Sequence, residues 1–172
     1  MKSLVMTILG ADRPGVVESL AKLVNQHGGN WLESRMAHLA GQFAGIVHVE
    51  VPPSDADKLV EALRAVNGSG LTIIVQLDDV ATSAATFAPL RLEIVGNDRP
   101  GIVHEITRVL AELAVNVEEF SSECMSAAMS GGRIFQATAK LRLPPGTATH
   151  DVQEALEQIA HDLMVDIRWP VE

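Results

Sequence analysis

Tyrosine is absent from this 172-residue chain, and only four Phe and two Trp are present. A platform for stacking nucleic-acid bases is therefore poorly supplied. Basic runs are missing as well. Lys and Arg total 13 against 22 Asp and Glu, for a net charge of −9. Affinity for nucleic acid comes largely from neutralising phosphates, so direct binding to it is not expected. A single cysteine, Cys124, excludes an internal disulfide and fits a reducing cytoplasm. Without an evident base beside it, that thiol reads as a small buried hydrophobe rather than a nucleophile. No apolar run approaches the ~18 residues that cross a bilayer. Met1-Lys2-Ser3 leads straight into a strand-like segment, without a signal-peptide pattern. A cytoplasmic protein with no membrane partner is the expectation. Zinc signatures, phosphate loops and the G-x-S-x-G turn are also missing. The six histidines show no paired ligand spacing, so no metal, cofactor or enzymatic activity is expected.

What the chain does have is a repeat. Gly10-Ala11-Asp12-Arg13-Pro14-Gly15-Val16-Val17 returns 86 residues on as Gly96-Asn97-Asp98-Arg99-Pro100-Gly101-Ile102-Val103. Six of these eight positions are identical. A self-similar period of half the chain implies two copies of one small domain. Domains of about 80 residues can just sustain a core, and 47% of the chain is apolar. The expected division is residues 1–80 and 89–172, joined by a linker at 81–88 rich in small and polar residues. The two domains carry net charges of −3 and −6.

Each half reads as β-α-β-β-α-β. Leu4–Leu9 is a short apolar strand. Arg13-Pro14-Gly15 opens a helix, with proline expected at its first position, where a missing N–H costs nothing. Val16, Val17, Leu20, Leu23 and Val24 mark one helical face, and Gly28-Gly29 stops it. Trp31–His38 and Gln42–Val51 form a hairpin around Ala40-Gly41. Ser54-x-x-Asp57 resembles a capping box before a second helix, and Leu71–Leu77 is the last strand. The second half repeats this order, ending in a helix capped by Thr149 and a strand at Leu163–Trp169. Its hairpin connection, 125–132, is longer, so that Phe43 matches Phe135 at an offset of 92. Long loops often carry function; a disordered insertion is the equal alternative.

This order is the split β-α-β, or ferredoxin-like, arrangement, an α+β fold with antiparallel sheets and both helices on one face. The other face needs a cover, for which a sister domain or a second chain is expected. A homodimer or other oligomer follows.

The first amides of a helix lack internal partners and carry the positive end of its dipole, so a carboxylate is a natural guest. Gly15 and Gly101 permit close approach. Asp12 and Asp98 can cap the helix or face a ligand ammonium group. Asn30 and Asn116, opening the second strand of each half, are expected at the same end of the sheet. Together these groups suit a small amino acid. Local chemistry leaves a second reading open, since Asp, Pro and Gly are also ordinary turn residues. Glu118, Glu119 and Glu123 are either a solvated face or a dock for a basic partner.

With Gly-x-Asp-Arg-Pro-Gly-[Val/Ile]-Val after the first strand and Asn opening the second, each half resembles the ACT domain, a regulatory module that often binds amino acids. Two such domains filling the chain resemble the glycine-cleavage-system transcriptional repressor family. That resemblance implies a non-enzymatic regulator that contacts a DNA-binding activator and senses glycine or serine. It carries ligand contacts onto Asp12, Arg13, Pro14, Gly15, Val16 and Asn30, and onto Asp98, Arg99, Pro100, Gly101, Ile102 and Asn116. Gly28-Gly29 becomes Ala114-Val115 in the second half, so the two sites need not be equal. A ligand-free regulatory or dimerisation subunit of a metabolic enzyme is the other reading.

Overall fold

The computed structural model describes residues 1–67, 70–78, 90–127 and 132–170. Its contacts divide the chain into two units, Met1–Ser83 and Ala84–Glu172. The linker expected at 81–88 lies outside the described residues, as does the middle of the long hairpin connection.

The first unit comprises β1 (Lys2–Ala11), α1 (Val16–Gln26), β2 (Asn30–Leu39), β3 (Gln42–Val51), α2 (Ala56–Val66) and β4 (Leu71–Asp78). The second comprises β5 (Leu90–Asn97), α3 (Ile102–Glu112), β6 (Asn116–Ser126), β7 (Arg133–Arg142), α4 (Thr149–Leu163) and β8 (Val165–Arg168). The sheets run β2-β3-β1-β4 and β6-β7-β5-β8, antiparallel throughout. These are the two ferredoxin-like α+β copies that the repeat implies.

Period-two alternation puts Leu4, Met6 and Ile8 of β1 on the buried face with Val47, Val49 and Val51 of β3. Val16, Leu20 and Val24 of α1 and Leu59 and Leu63 of α2 close over them at helical spacing. The second core repeats this with Leu92, Ile94, Ile102, Ile106, Leu110 and Leu156. No polar or charged side chain among the described residues is fully buried. Both edge strands carry a β-bulge at the same place, skipping Leu32 in β2 and Glu118 in β6. Duplication of the bulge marks it as a feature of the fold rather than a defect.

Several local expectations need correction. Pro14 is not the first helical residue. Gly15 is the N-cap, in the left-handed region at φ 87°, and Pro14 stands outside it. Gly101 caps α3 in the same way at φ 98°. Ser54 forms no capping box. Asp55 is the N-cap of α2, and the Ser54 hydroxyl donates to its carboxylate at 2.9 Å. Thr149 already lies inside α4, behind Ala148. The last strand is shorter than expected because α4 runs through Leu163 and ends at Met164, a left-handed residue. Cys124 is exposed. Cys124 sits toward the far end of the edge strand β6, whose residues beyond Val117 are exposed. Gly28 behaves as expected, with φ 66° and a Gly29 amide bonded back to the Val24 carbonyl at 2.9 Å.

Candidate functional site

The strand-to-helix turn of the first unit is a helix mouth. The Asp12 amide donates to the Gly41 carbonyl at 3.2 Å, tying the turn to the β2–β3 hairpin. Gly15 then reverses the chain, and its carbonyl accepts the Ser19 amide at 2.9 Å and the Ser19 hydroxyl at 2.7 Å. No side chain caps the helix there. A methyl group built on Gly15 would meet nothing described within 4 Å, so the mouth is open. Asp12, Arg13, Pro14 and Gly15 are exposed, while Val16 anchors the turn in the core. The Asp12 carboxylate is half-exposed and stands 3.8 Å from His38 Nε2.

In the second unit the same mouth has different company. The Asp98 amide donates to the Arg133 carbonyl at 2.9 Å, and the Arg133 Nε lies 3.3 Å from the Asp98 carboxylate. Arg99 reaches across to donate to the Asp162 carbonyl at 2.6 Å, near the C-terminal end of α4. Gly101 faces open space like Gly15, and Ile102 is buried. Beside this turn lies a cleft of about 450 Å³ whose lining includes Asn97, His161, Met164 and Asp166.

Asn30 and Asn116 are not part of these mouths, contrary to expectation. Asn30 pairs with Glu50, which pairs with Ser3 at the start of β1. Asp12 follows the other end of that strand, roughly 30 Å away at ~3.3 Å per residue. The cause is topological. The crossover helix carries the chain back along the sheet, so β2 begins where β1 begins. Asn116, opposite Arg142, is displaced from Asp98 in the same way.

Residue spacing did not signal His38, Arg133 or the Asp162 carbonyl, because each reaches its mouth by long-range pairing. Arg133 had one available clue: at the offset of 92 it takes the place of Gly41. A further cluster lies on the first sheet. Ser3 Oγ and His48 Nε2 are 2.7 Å apart, and Glu33 Oε1 is 3.9 Å from His48 Nδ1. At Ser3, β1 is paired on both sides. Its amides are spent in the ladder, where acyl transfer would need donors aimed at an oxyanion. The cluster is a cross-strand polar network. No group of three His, Cys, Asp or Glu among the described residues could hold a metal ion, and no described helix is long and apolar enough to cross a membrane.

The helix mouths contain donors for a carboxylate and, in Asp12, an acceptor for an ammonium group. Against known proteins, residues 2–76 match the model of the ACT domain. The chain is 23% identical over 164 residues to the glycine cleavage system transcriptional repressor of Escherichia coli, covering 93% of this chain and 85% of that protein. It is 34% identical over 83 residues to a UPF0237 protein of Methanopyrus kandleri, spanning 46% of this chain and 92% of the relative. Among solved structures, a protein of unknown function from Galdieria sulphuraria superposes with a TM-score of 0.86 at 28% identity, covering 98% of this chain and 96% of the other.

Proposed function

Because the chain belongs to the ACT-domain family, we propose that it is a regulatory protein that senses a small amino acid and acts by protein contact, not an enzyme. Glycine, or serine, is the effector, and the regulated target is a DNA-binding activator of glycine-cleavage genes in the cytoplasm. Support for the target comes from the repressor of Escherichia coli, similar along nearly the whole chain. An acidic surface of net charge −9 agrees with a regulator that touches proteins rather than DNA.

The observation that carries the sensing part is the pair of open mouths at Gly15 and Gly101. The effector carboxylate lies against the first-turn amides of α1 or α3, where the helix dipole favours it. Its ammonium group faces Asp12 or Asp98. The small surroundings are built from Arg13, Pro14 and Val16 in the first unit and Arg99, Pro100 and Ile102 in the second. An effector can change partner affinity only by preferring one state of the protein.

Titration calorimetry tests this directly. Glycine or serine binds saturably, and Gly15→Leu with Gly101→Leu abolishes the heat. No heat with any of the twenty amino acids would overturn the sensing part. A pull-down from extract, with and without glycine, tests the partner. Recovery of a DNA-binding activator in one condition supports the reading, and its absence from both overturns that half.

A further inference from the structure

Two copies of one sheet in a single chain reveal which outward residues the fold does not require. On the helix-free face of the second sheet, one row across the strands runs Arg91–Lys140–Glu119, and the next Glu93–Thr138–Ser121. The equivalent rows of the first sheet are Val5–His48–Glu33 and Thr7–Ile46–Arg35. The second sheet thus sets two cations, Arg91 and Lys140, directly opposite each other on paired strands. Like charges so placed cost stability, and the first sheet avoids the cost by pairing Val5 with His48. Lys140 is also 4.0 Å from Glu118, the residue that the β6 bulge skips. A local choice that works against the fold is what a functional site leaves behind.

The end of the chain hollows this face. In the first sheet, β4 keeps pairing with β1 through Val5–Gln76 to Ser3–Asp78. In the second, pairing stops at Glu93–Arg168, and the same register would set Pro170 opposite Arg91. Proline has no N–H to give the ladder. The result is a cleft of about 340 Å³, floored by the two rows and walled by Pro170. That volume falls within the range of small-molecule sites.

We propose that this cleft is a second ligand site, which takes a polar amino acid with an amide side chain. It is separate from the helix mouths: Asp98 lies five residues beyond Glu93, about 16 Å at ~3.3 Å per residue. Arg91 and Lys140 receive the carboxylate, which relieves their mutual repulsion. Glu93 and Glu119 face the ammonium group. The Ser121 and Thr138 hydroxyls each donate and accept, as a side-chain amide requires. Charge balance selects a zwitterion over an anion. The two cations and two carboxylates of the cleft cancel, so phosphate or a dicarboxylate would meet repulsion as well as attraction.

An NMR amide-shift titration with L-glutamine tests this on the full chain carrying Gly15→Leu and Gly101→Leu, which close the mouths. Amides of β5, β6 and β7 around Arg91, Ser121 and Lys140 shift saturably. Two further probes each lack one charge: glutaramic acid has no ammonium group, and 4-aminobutanamide has no carboxylate. Each binds at least about tenfold more weakly. Arg91→Val with Glu93→Thr, the residue types that the first sheet carries at Val5 and Thr7, weakens L-glutamine by at least about tenfold as well. Should that variant lose its fold, Thr138→Ile, the type carried at Ile46, fills the cleft and provides the same test. No saturable shift on these strands, equal binding of either truncated probe, or undiminished affinity in a folded cleft variant overturns the proposal. Inorganic phosphate that shifts these amides at lower concentration than L-glutamine overturns it in favour of an anion site. Glycine binding at the mouths is read on the wild-type chain from the amides that follow Gly15 and Gly101, so the two readings fail separately.

Discussion

Arg133 neutralises Asp98 at a separation of 3.3 Å, and the position equivalent to Arg133 in the first unit is Gly41, which has no side chain to offer Asp12. The duplicated mouths are therefore chemically unequal. In the first, the carboxylate stands 3.8 Å from a half-exposed histidine. In the second, the Arg133 guanidinium stands beside the carboxylate that the proposed effector ammonium would face. Arg133→Ala releases Asp98. Both side chains are partly exposed, so the cost in stability is at most about 1 kcal/mol. Amino-acid affinity at the second mouth rises while the first is unchanged. Calorimetry in a Gly15→Leu background, which isolates the second mouth, measures the change; equal or weaker binding refutes it.

Gly10 and Gly96 sit where the central strand passes closest to the entry of the last strand. A methyl group on Gly10 would collide with the Gly70 carbonyl and the Leu71 side chain. On Gly96 it would strike Met164 and Val165. Much of that obstacle is backbone and cannot rotate away. Gly10→Ala and Gly96→Ala each destabilise by about 1–3 kcal/mol through overpacking. Gly15→Ala meets open space and costs about 1–2 kcal/mol, only for its left-handed backbone. Urea denaturation of the three variants ranks them, and a milder effect at Gly10 than at Gly15 contradicts the argument.

Much of the fold was legible because local signals agreed with one another. The repeat, the helical spacing of Val16, Leu20 and Val24 and the alternation along β1 all point to the same buried face. Helix starts were less legible. Pro14 and Ser54 are typical start residues, yet Gly15 and Asp55 hold the N-cap positions, and neither makes a side-chain hydrogen bond to its helix. Asn30 was misplaced because motif spacing runs along the chain, while the crossover reverses direction in space. The contrast between Ile46 and Thr138 was visible only once strand register had aligned the two sheets residue by residue.

Separate cores predict separate losses. Leu63 is fully buried among residues of the first unit, and Leu156 among those of the second. Leu63→Ala leaves a cavity costing about 2–5 kcal/mol. Amide exchange measured by mass spectrometry speeds up in β1, β3 and α1 and is unchanged in β5, β7 and α3. Leu156→Ala gives the converse pattern. Uniform acceleration across both units in either variant defeats the prediction.

Asp55 offers a pH test at the start of α2. Its carboxylate accepts a hydrogen bond from Lys58 Nζ at 2.7 Å and another from the Ser54 hydroxyl at 2.9 Å. Chiefly the Lys58 bond, and then the Ser54 bond, hold its pKa below the ordinary carboxylate value. A carboxyl group more acidic in the folded than in the unfolded chain binds fewer protons when folded across that interval. Its stabilising contribution is thus complete above the unfolded pKa and disappears as pH falls through the folded one. Lys58→Met removes the larger cause, so the Asp55 titration moves up toward the ordinary range, and the pH interval over which acid costs stability through this group narrows. Ser54→Ala moves it the same way by less. Carboxyl-carbon NMR titration reads the shift residue by residue. A midpoint unmoved by Lys58→Met, or moved more by Ser54→Ala, means that the Lys58 bond does not set the charge of this cap.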